Sequence, residues 1–385
     1  MSYVYKLRGR IDSNNAKQFE SEILSEYGKH GDLVLDAKEL EYISSAGLRV
    51  LLKLRKMQDE LEITNVSHYI CDILEVTGFD NLLTVRTALR EVCIENCKLI
   101  GKGGNGSVYR ISDDEIIKVY TQNTLPESIE NERRLGKSAF IAGVPTAIAY
   151  DTVKVGDSLG IVFEMVKGDV IASKFMNEPE NFDMYAKKYA QLFKEIHTID
   201  LSEKGLPTTK QIYTGYLSHL DEWYDEKELE CLKRFIESIP EKNTMVHGDF
   251  HTNNIMVQGD ELLIIDMAEI SCGNPIFDLA SSYYAHSLNP RRSPDSVMRY
   301  LNVTADIAIR LWDVMMRYYF DTDDSKKIEK YNSVIEGFCM LKEALIPAIW
   351  VNMPNEHKKY AVEDAKKHFF SRSEELLEKL DEMLG

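Results

Sequence analysis

Over the first ninety residues the hydrophobic positions switch between two periods. Val4 to Ile11 reads as a strand, closed by Asp12-Ser13-Asn14. Ala16, Phe19, Ile23, Leu24 and Tyr27 then recur at helical spacing, so a helix is expected over 16–27. Leu33 to Asp36 is a short buried strand, and Ile43-Ser44-Ser45 runs into an apolar helix through Leu51, Leu52 and Leu54. Leu61 to Val66 is another strand, Tyr69 to Val76 a third helix, and Leu82 to Val85 closes the unit. Strands alternating with helices at this length predict a small α/β domain.

The pattern changes near residues 91–97, with no Pro-, Gly- or Ser-rich linker. A hairpin follows around Gly101 to Gly106, then a strand over Glu115 to Tyr120 and a helix from Pro126 to Ala142. A second hairpin is expected around Gly156-Asp157, and a helix from Phe182 to Ile199. Two apolar runs, Met245-Val246 and Ile255-Met256-Val257, bracket a cluster of His, Asp and Asn, and Leu262 to Ile265 forms one more strand. Beyond residue 273 the chain reads as mostly helical and polar-faced, ending in an acidic amphipathic helix near Ser371 to Leu384. The two domains are placed at 1–92 and 97–385, the second with an N-lobe of about 97–166 and a C-lobe of about 167–385.

Composition changes this picture little. Across 385 residues, 44% hydrophobic and 28% charged residues are those of a globular protein. No apolar run reaches membrane-spanning length and the N-terminus lacks a signal-peptide core, so a cytoplasmic protein is expected. The six cysteines show no metal-type spacing and read as reduced thiols. The net charge of -17 disfavours nucleic acid and anionic membranes as partners. It suits a cationic substrate, although an acidic surface that keeps the protein dissolved explains it as well.

The chemistry lies in the polar cluster. Phosphoryl transfer requires a carboxylate to orient the attacking hydroxyl and oxygen ligands for Mg²⁺. Protein kinases space these as an Asp, an Asn five residues later, and an Asp on the next strand. Here Asp249 and Asn254 are five apart and Asp266 follows the next strand. The glycines Gly101, Gly103 and Gly106, with Val108, form G-x-G-x-x-G-x-V, a loop whose backbone can approach a triphosphate. Taken alone that motif is more often a hairpin turn. It precedes Lys118, a cation among apolar neighbours that needs an anion. The next helix offers Glu130 and Glu132, of which Glu132 is favoured on slight physical ground. In a kinase, the strand Ile161 to Val166 would be the hinge, with the backbone at Glu164 and Val166 bonding adenine. Glu269 reads equally as a metal or substrate carboxylate or as a solvated loop residue, and His197 as a packed or capping histidine.

Two resemblances follow from these motifs. Tyr42-Ile43-Ser44-Ser45-Ala46-Gly47-Leu48, Asn65-Val66-Ser67 and Leu74 to Val85 make residues 1 to about 90 resemble the STAS domain of anti-sigma factor antagonists. That resemblance implies a phospho-acceptor serine at Ser45 and a protein partner. Ser44 replaces the family's Asp, and either serine also suits a helix cap. His247-Gly248-Asp249-Phe250-His251-Thr252-Asn253-Asn254-Ile255, Ile265-Asp266 and Phe277-Asp278-Leu279-Ala280 make residues from about 98 onward resemble the aminoglycoside phosphotransferase/choline kinase-like family. That resemblance implies a bilobal α+β kinase-like fold. In it Asp249 is the base, Asn254 and Asp266 hold Mg²⁺, Lys118 holds ATP phosphate, and His247 and Asp278 support the site.

Together these readings predict an ATP- and Mg²⁺-dependent phosphotransferase acting on a hydroxyl of a small molecule, for which the charge of the chain suits a cation, with a regulatory STAS domain. A protein serine kinase acting on Ser45, in cis or in trans, is the alternative. A non-catalytic signalling scaffold is the third reading, disfavoured because every expected catalytic side chain is present.

Overall fold

A computed structural model describes residues 3–103, 106–202, 206–350 and 353–384. It divides into two compact units, Met1–Cys93 with Val153–Asp157, and Ile94–Thr152 with Ser158–Gly385.

The first unit is built on a parallel sheet in the order Tyr3–Ile11, Leu33–Ile43, Glu62–Val66, Thr84–Thr87. Helices Ala16–His30, Ser45–Arg55 and His68–Val76 connect its strands. Ile23, Leu35, Leu51, Leu54 and Ile63 are fully buried between the layers. The second strand runs seven residues past the predicted Asp36. Its pairing with the first strand shifts register twice, and Asp36, Lys38, Glu39 and Glu41 interrupt the apolar alternation, which hides the strand's length in the sequence. Ser44 caps the helix Ser45–Arg55, accepting from the Ala46 N–H at 3.2 Å. Gly47 faces the sheet, where an added Cβ would lie 2.7 Å from Ile11 and 2.8 Å from Ile43 side-chain carbons, so only glycine fits.

In the second unit, strands lie in the order Ser158–Glu164, Glu115–Tyr120, Gly106–Arg110, Lys98–Lys102. Glu115–Tyr120 is antiparallel to both of its neighbours. The helix Pro126–Ile141 turns Ile129, Glu132, Leu135, Gly136 and Ala139 inward. Two small sheets frame the polar cluster: Asp169–Val170 with Ile255–Gln258 and Glu261–Ile264, and Thr244–Val246 with Ser271–Gly273. The remainder is helical, packed on Phe175, Tyr189, Phe193 and Trp312.

The expectation of polar-faced helices beyond residue 273 is corrected at Ser325–Ile349. From Val334 to Ala348 almost every residue of that helix is buried, including Glu343. It is a central strut rather than a surface helix. Among the described residues no helix is long and apolar enough to cross a membrane.

Candidate active site

The loop between strands Thr244–Val246 and Ile255–Gln258 is fixed from below. Phe250 is 1% exposed, with its ring 4.9 Å from Tyr189 and 4.6 Å from Phe193, so the centre of the loop is plugged into the helical core. Asp278, fully buried at the start of helix Ile276–Tyr283, accepts from the backbone N–H groups of His247 and Gly248, each at 2.7 Å. His197 caps helix Phe182–Ile196 and donates from Nε2 to Asp278 at 3.1 Å, while its Nδ1 is hydrogen-bonded with the Tyr319 hydroxyl at 2.8 Å. Burial would raise the Asp278 carboxyl, but the His197 bond, with the His197 and His247 rings and the backbone donor, holds it below its ordinary value. His247 is itself buried and accepts from the Asp249 N–H through Nδ1 at 3.2 Å.

Above this support lie the candidate reacting groups. Asp249 is bonded through Oδ2 to His251 Nε2 at 3.3 Å. The His251 Nδ1 already accepts from the Asn253 N–H, so Nε2 carries the proton and donates. Burial in the cleft raises the Asp249 carboxyl, but His251, His247 and Lys342 outweigh it and keep the carboxyl well below the usual range. Asn254 donates to the Asp249 carbonyl at 2.9 Å and to its Oδ2 at 3.3 Å, which leaves its amide oxygen for another partner. The Asn254 carbonyl accepts from the Ile265 N–H at 2.8 Å and so brings Asp266 alongside. Asp266 has φ 65°, a left-handed conformation that only a few non-glycine residues adopt and that often marks a functional position.

Lys118 joins the two lobes. Its ammonium lies 2.7 Å from Glu132 and 3.2 Å from Asp266. Burial alone would lower its pKa; the charges of Asp266 and Glu132 outweigh this and raise it. Glu130 points elsewhere, to Arg133 and Thr152. Strand register sets Val108 opposite Lys118, beneath the glycine loop. The Gly103 N–H donates to the Gly106 carbonyl at 2.9 Å, and Gly104 and Asn105 lie outside the described residues. Among the described residues Gly101 has Val108 alone near its missing Cβ, whereas a Cβ on Gly106 would strike the Val119 carbonyl oxygen. Gly106 is therefore also a packing requirement.

At the end of strand Ser158–Glu164 the Glu164 N–H is bonded to the Ile148 carbonyl at 2.9 Å. Met165 donates to the Asp114 carbonyl at 2.8 Å, and Lys167 to the Gln258 side chain at 2.9 Å. Val166, buried, sits between these two ties.

Sequence reasoning missed Lys342 on helix Ser325–Ile349. Its ammonium donates to Ser281 Oγ at 2.8 Å and to the Gly248 carbonyl at 3.3 Å. A lysine and a glutamate inside the apolar run Phe338 to Ile346 were the signal that could have found it. Glu269 packs its Cβ and carbonyl against Gly248. Confinement in the cleft raises its pKa, the Asp249 and Asp266 charges add to this, and Lys342 opposes it.

Ser45, on the first unit, is exposed at the start of its helix, with its Oγ 3.3 Å from Arg49 Nη2.

Comparison with known proteins matches residues 2–92 to the STAS domain and residues 96–316 to the phosphotransferase enzyme family. BtrV of Bordetella bronchiseptica, provisionally named an anti-sigma factor antagonist, is 38% identical over 84 residues, covering 20% of this chain and 72% of BtrV. Among solved structures, the streptomycin–ATP–APH(2″)-IIa ternary complex is 14% identical, with a TM-score of 0.47 over 72% of this chain and 93% of that one. A choline/ethanolamine kinase family protein from Mesorhizobium loti is 15% identical, with a TM-score of 0.47 over 73% and 92%. The chain belongs to the phosphotransferase enzyme family and carries a STAS domain ahead of its phosphotransferase region.

Proposed function

We propose that the chain transfers the γ-phosphoryl group of ATP, with Mg²⁺, to a hydroxyl of a small molecule. The observation that carries this reading is the Lys118 ammonium held between Glu132 and Asp266, a half-buried cation poised for phosphate beside a candidate metal ligand. The donor set suits Mg²⁺: one carboxylate at Asp266 and one amide oxygen at Asn254, hard oxygen ligands that leave positions for phosphates and water. Bound there, the ion would neutralise charge on the phosphates. In this reading Asp249, kept ionised, aligns the acceptor hydroxyl and takes its proton as the bond to phosphorus forms. Gly101, Gly103, Gly106 and Val108 cover the phosphates, and the backbone at Glu164 and Val166 receives adenine.

The test is ADP release from Mg·ATP with a panel of alcohols, sugars and amines. Release that needs Mg²⁺, is stimulated by an acceptor and is lost in Asp249→Asn supports the reading. Release indifferent to Asp249→Asn removes it.

A second acceptor has one observation in its favour. Ser45 is exposed and Arg49 is placed to pair a phosphate on it. Intact mass after incubation with Mg·ATP, with peptide mapping, decides whether this serine is phosphorylated. We place the STAS domain as a regulatory and protein-binding module, and the protein in the cytoplasm.

A further inference from the structure

A cavity of about 730 Å³ opens beside Asp249, lined wholly by residues of the second unit, where the phosphotransferase reading puts the acceptor. Its walls are part apolar, with Tyr284, Ile346 and Trp350 among them. The charges that border it are informative. Lys342 borders it, bonded to the carbonyl of Gly248 next to Asp249, and it also borders a second cavity of about 290 Å³ lined by Gly248 and Glu269. Two of its three N–H donors are spent on Ser281 and the Gly248 carbonyl, and the third has no partner among the described residues.

The carboxylates bordering the larger cavity are already committed. Asp249 is bonded to His251 and is reserved for the reacting hydroxyl. Glu343 gives Oε1 to Arg292 at 2.9 Å, and its Oε2 is sealed from the cavity. Arg292 also bonds Asp364 at 2.7 Å. Burial pushes the Glu343 carboxyl up to about 8, so at neutral pH it offers no full negative charge. His251 and His357 are the other titratable nitrogens on the wall. Among the described residues, an ammonium group entering this cavity would find Lys342 opposing it and, apart from Asp249 at the reacting position, no carboxylate free to pair with it. An oxygen-rich molecule would find a free donor.

We propose that Lys342 determines acceptor specificity: its ammonium takes an oxygen of the acceptor next to the reacting hydroxyl, and the acceptor is a polyhydroxyl compound without positive charge rather than an amine. This rests on the phosphotransferase reading and departs from the cationic substrate that the net charge of the chain suggests. That charge belongs to the surface as a whole, whereas Lys342 borders the cavity itself beside Asp249.

The experiment reads binding without turnover, so it can fail independently of the proposed reaction. Full-length protein with Mg²⁺ and ADP is titrated by ligand-observed NMR with glycerol, glycerate, ethanolamine and choline. Glycerol or glycerate is expected to bind at least about tenfold more tightly than either amine, the size of one charge-assisted hydrogen bond. Lys342→Met erases that preference while ADP affinity stays within about twofold, and Lys342→Arg keeps the preference. The proposal is overturned if ethanolamine or choline binds as well as the oxygen-rich probes, if neither oxygen-rich probe binds, or if Lys342→Met leaves the ranking intact. Should Lys342→Met not fold, the ranking in the wild type and in Lys342→Arg decides.

Discussion

Asp278→Asn isolates the support beneath the catalytic loop. The side chain is fully buried and keeps its shape in the variant, so no cavity forms. It loses a charge that accepts two backbone N–H bonds at 2.7 Å and one from His197 at 3.1 Å. Asparagine has a single oxygen, and its amide group would face one of the loop N–H donors. A hydrogen bond to a charged group contributes roughly 1.5–3 kcal/mol, and breaking a buried pair costs about 3–5 kcal/mol. A loss of about 3 kcal/mol at pH 7 follows, since one of the two backbone bonds survives. Turnover should fall as the loop loses its seat, while ATP affinity changes little, because Lys118 and Asp266 stand on other elements. Urea unfolding and steady-state kinetics at saturating ATP measure both. The folded-state carboxyl titrates below its ordinary value of 3.8. Its contribution is therefore present above that pH and disappears as the pH falls through the folded value, so the wild-type and Asp278→Asn stabilities should converge in acid. In His197→Ala the two losses should be less than additive, since both act through one carboxylate. A stability change under about 0.5 kcal/mol with unchanged turnover would refute the reasoning.

Other perturbations probe separate parts of the account. Lys118→Ala should weaken ATP far more than adenosine by calorimetry; equal losses would mean that the lysine only packs. Gly106→Ala should destabilise the protein by about 1–3 kcal/mol in thermal unfolding, because the new methyl meets the Val119 carbonyl rather than a movable side chain. Glu343 has a folded pKa raised from 4.5 to about 8, so through this group stability declines as the pH rises between those values. Glu343→Gln should flatten that decline, and an unchanged stability profile between pH 5 and 8 would remove the assignment.

The candidate site is legible in the sequence where its residues are contiguous, and the fold where one period dominates. Asp249, Asn254 and Asp266 fall within eighteen residues of chain and are brought together by the pairing of Ile255–Gln258 with Glu261–Ile264. The first-unit helices were legible because their apolar spacing is regular. Glu132 could have been separated from Glu130 more firmly: it continues the inward face of Ile129, Leu135 and Ala139, and Glu130 does not. What stayed hidden depends on distant segments. Lys342 meets Gly248 across 94 residues, and His197 meets Asp278 across 81. No local pattern announces a pairing of that range. The second strand was cut short because bulges and charged residues broke its period.

The central claim is that Asp249 and Lys118 belong to one working phosphotransfer site. The most direct measurement is Mg²⁺-dependent ADP release by the full chain, with intact mass recorded alongside, in wild type and in Asp249→Asn. Release that falls by about 10²-fold or more in the variant, with ATP binding retained, is the predicted result. Equal release from both proteins, or retained binding with no release from either under any acceptor, would contradict it.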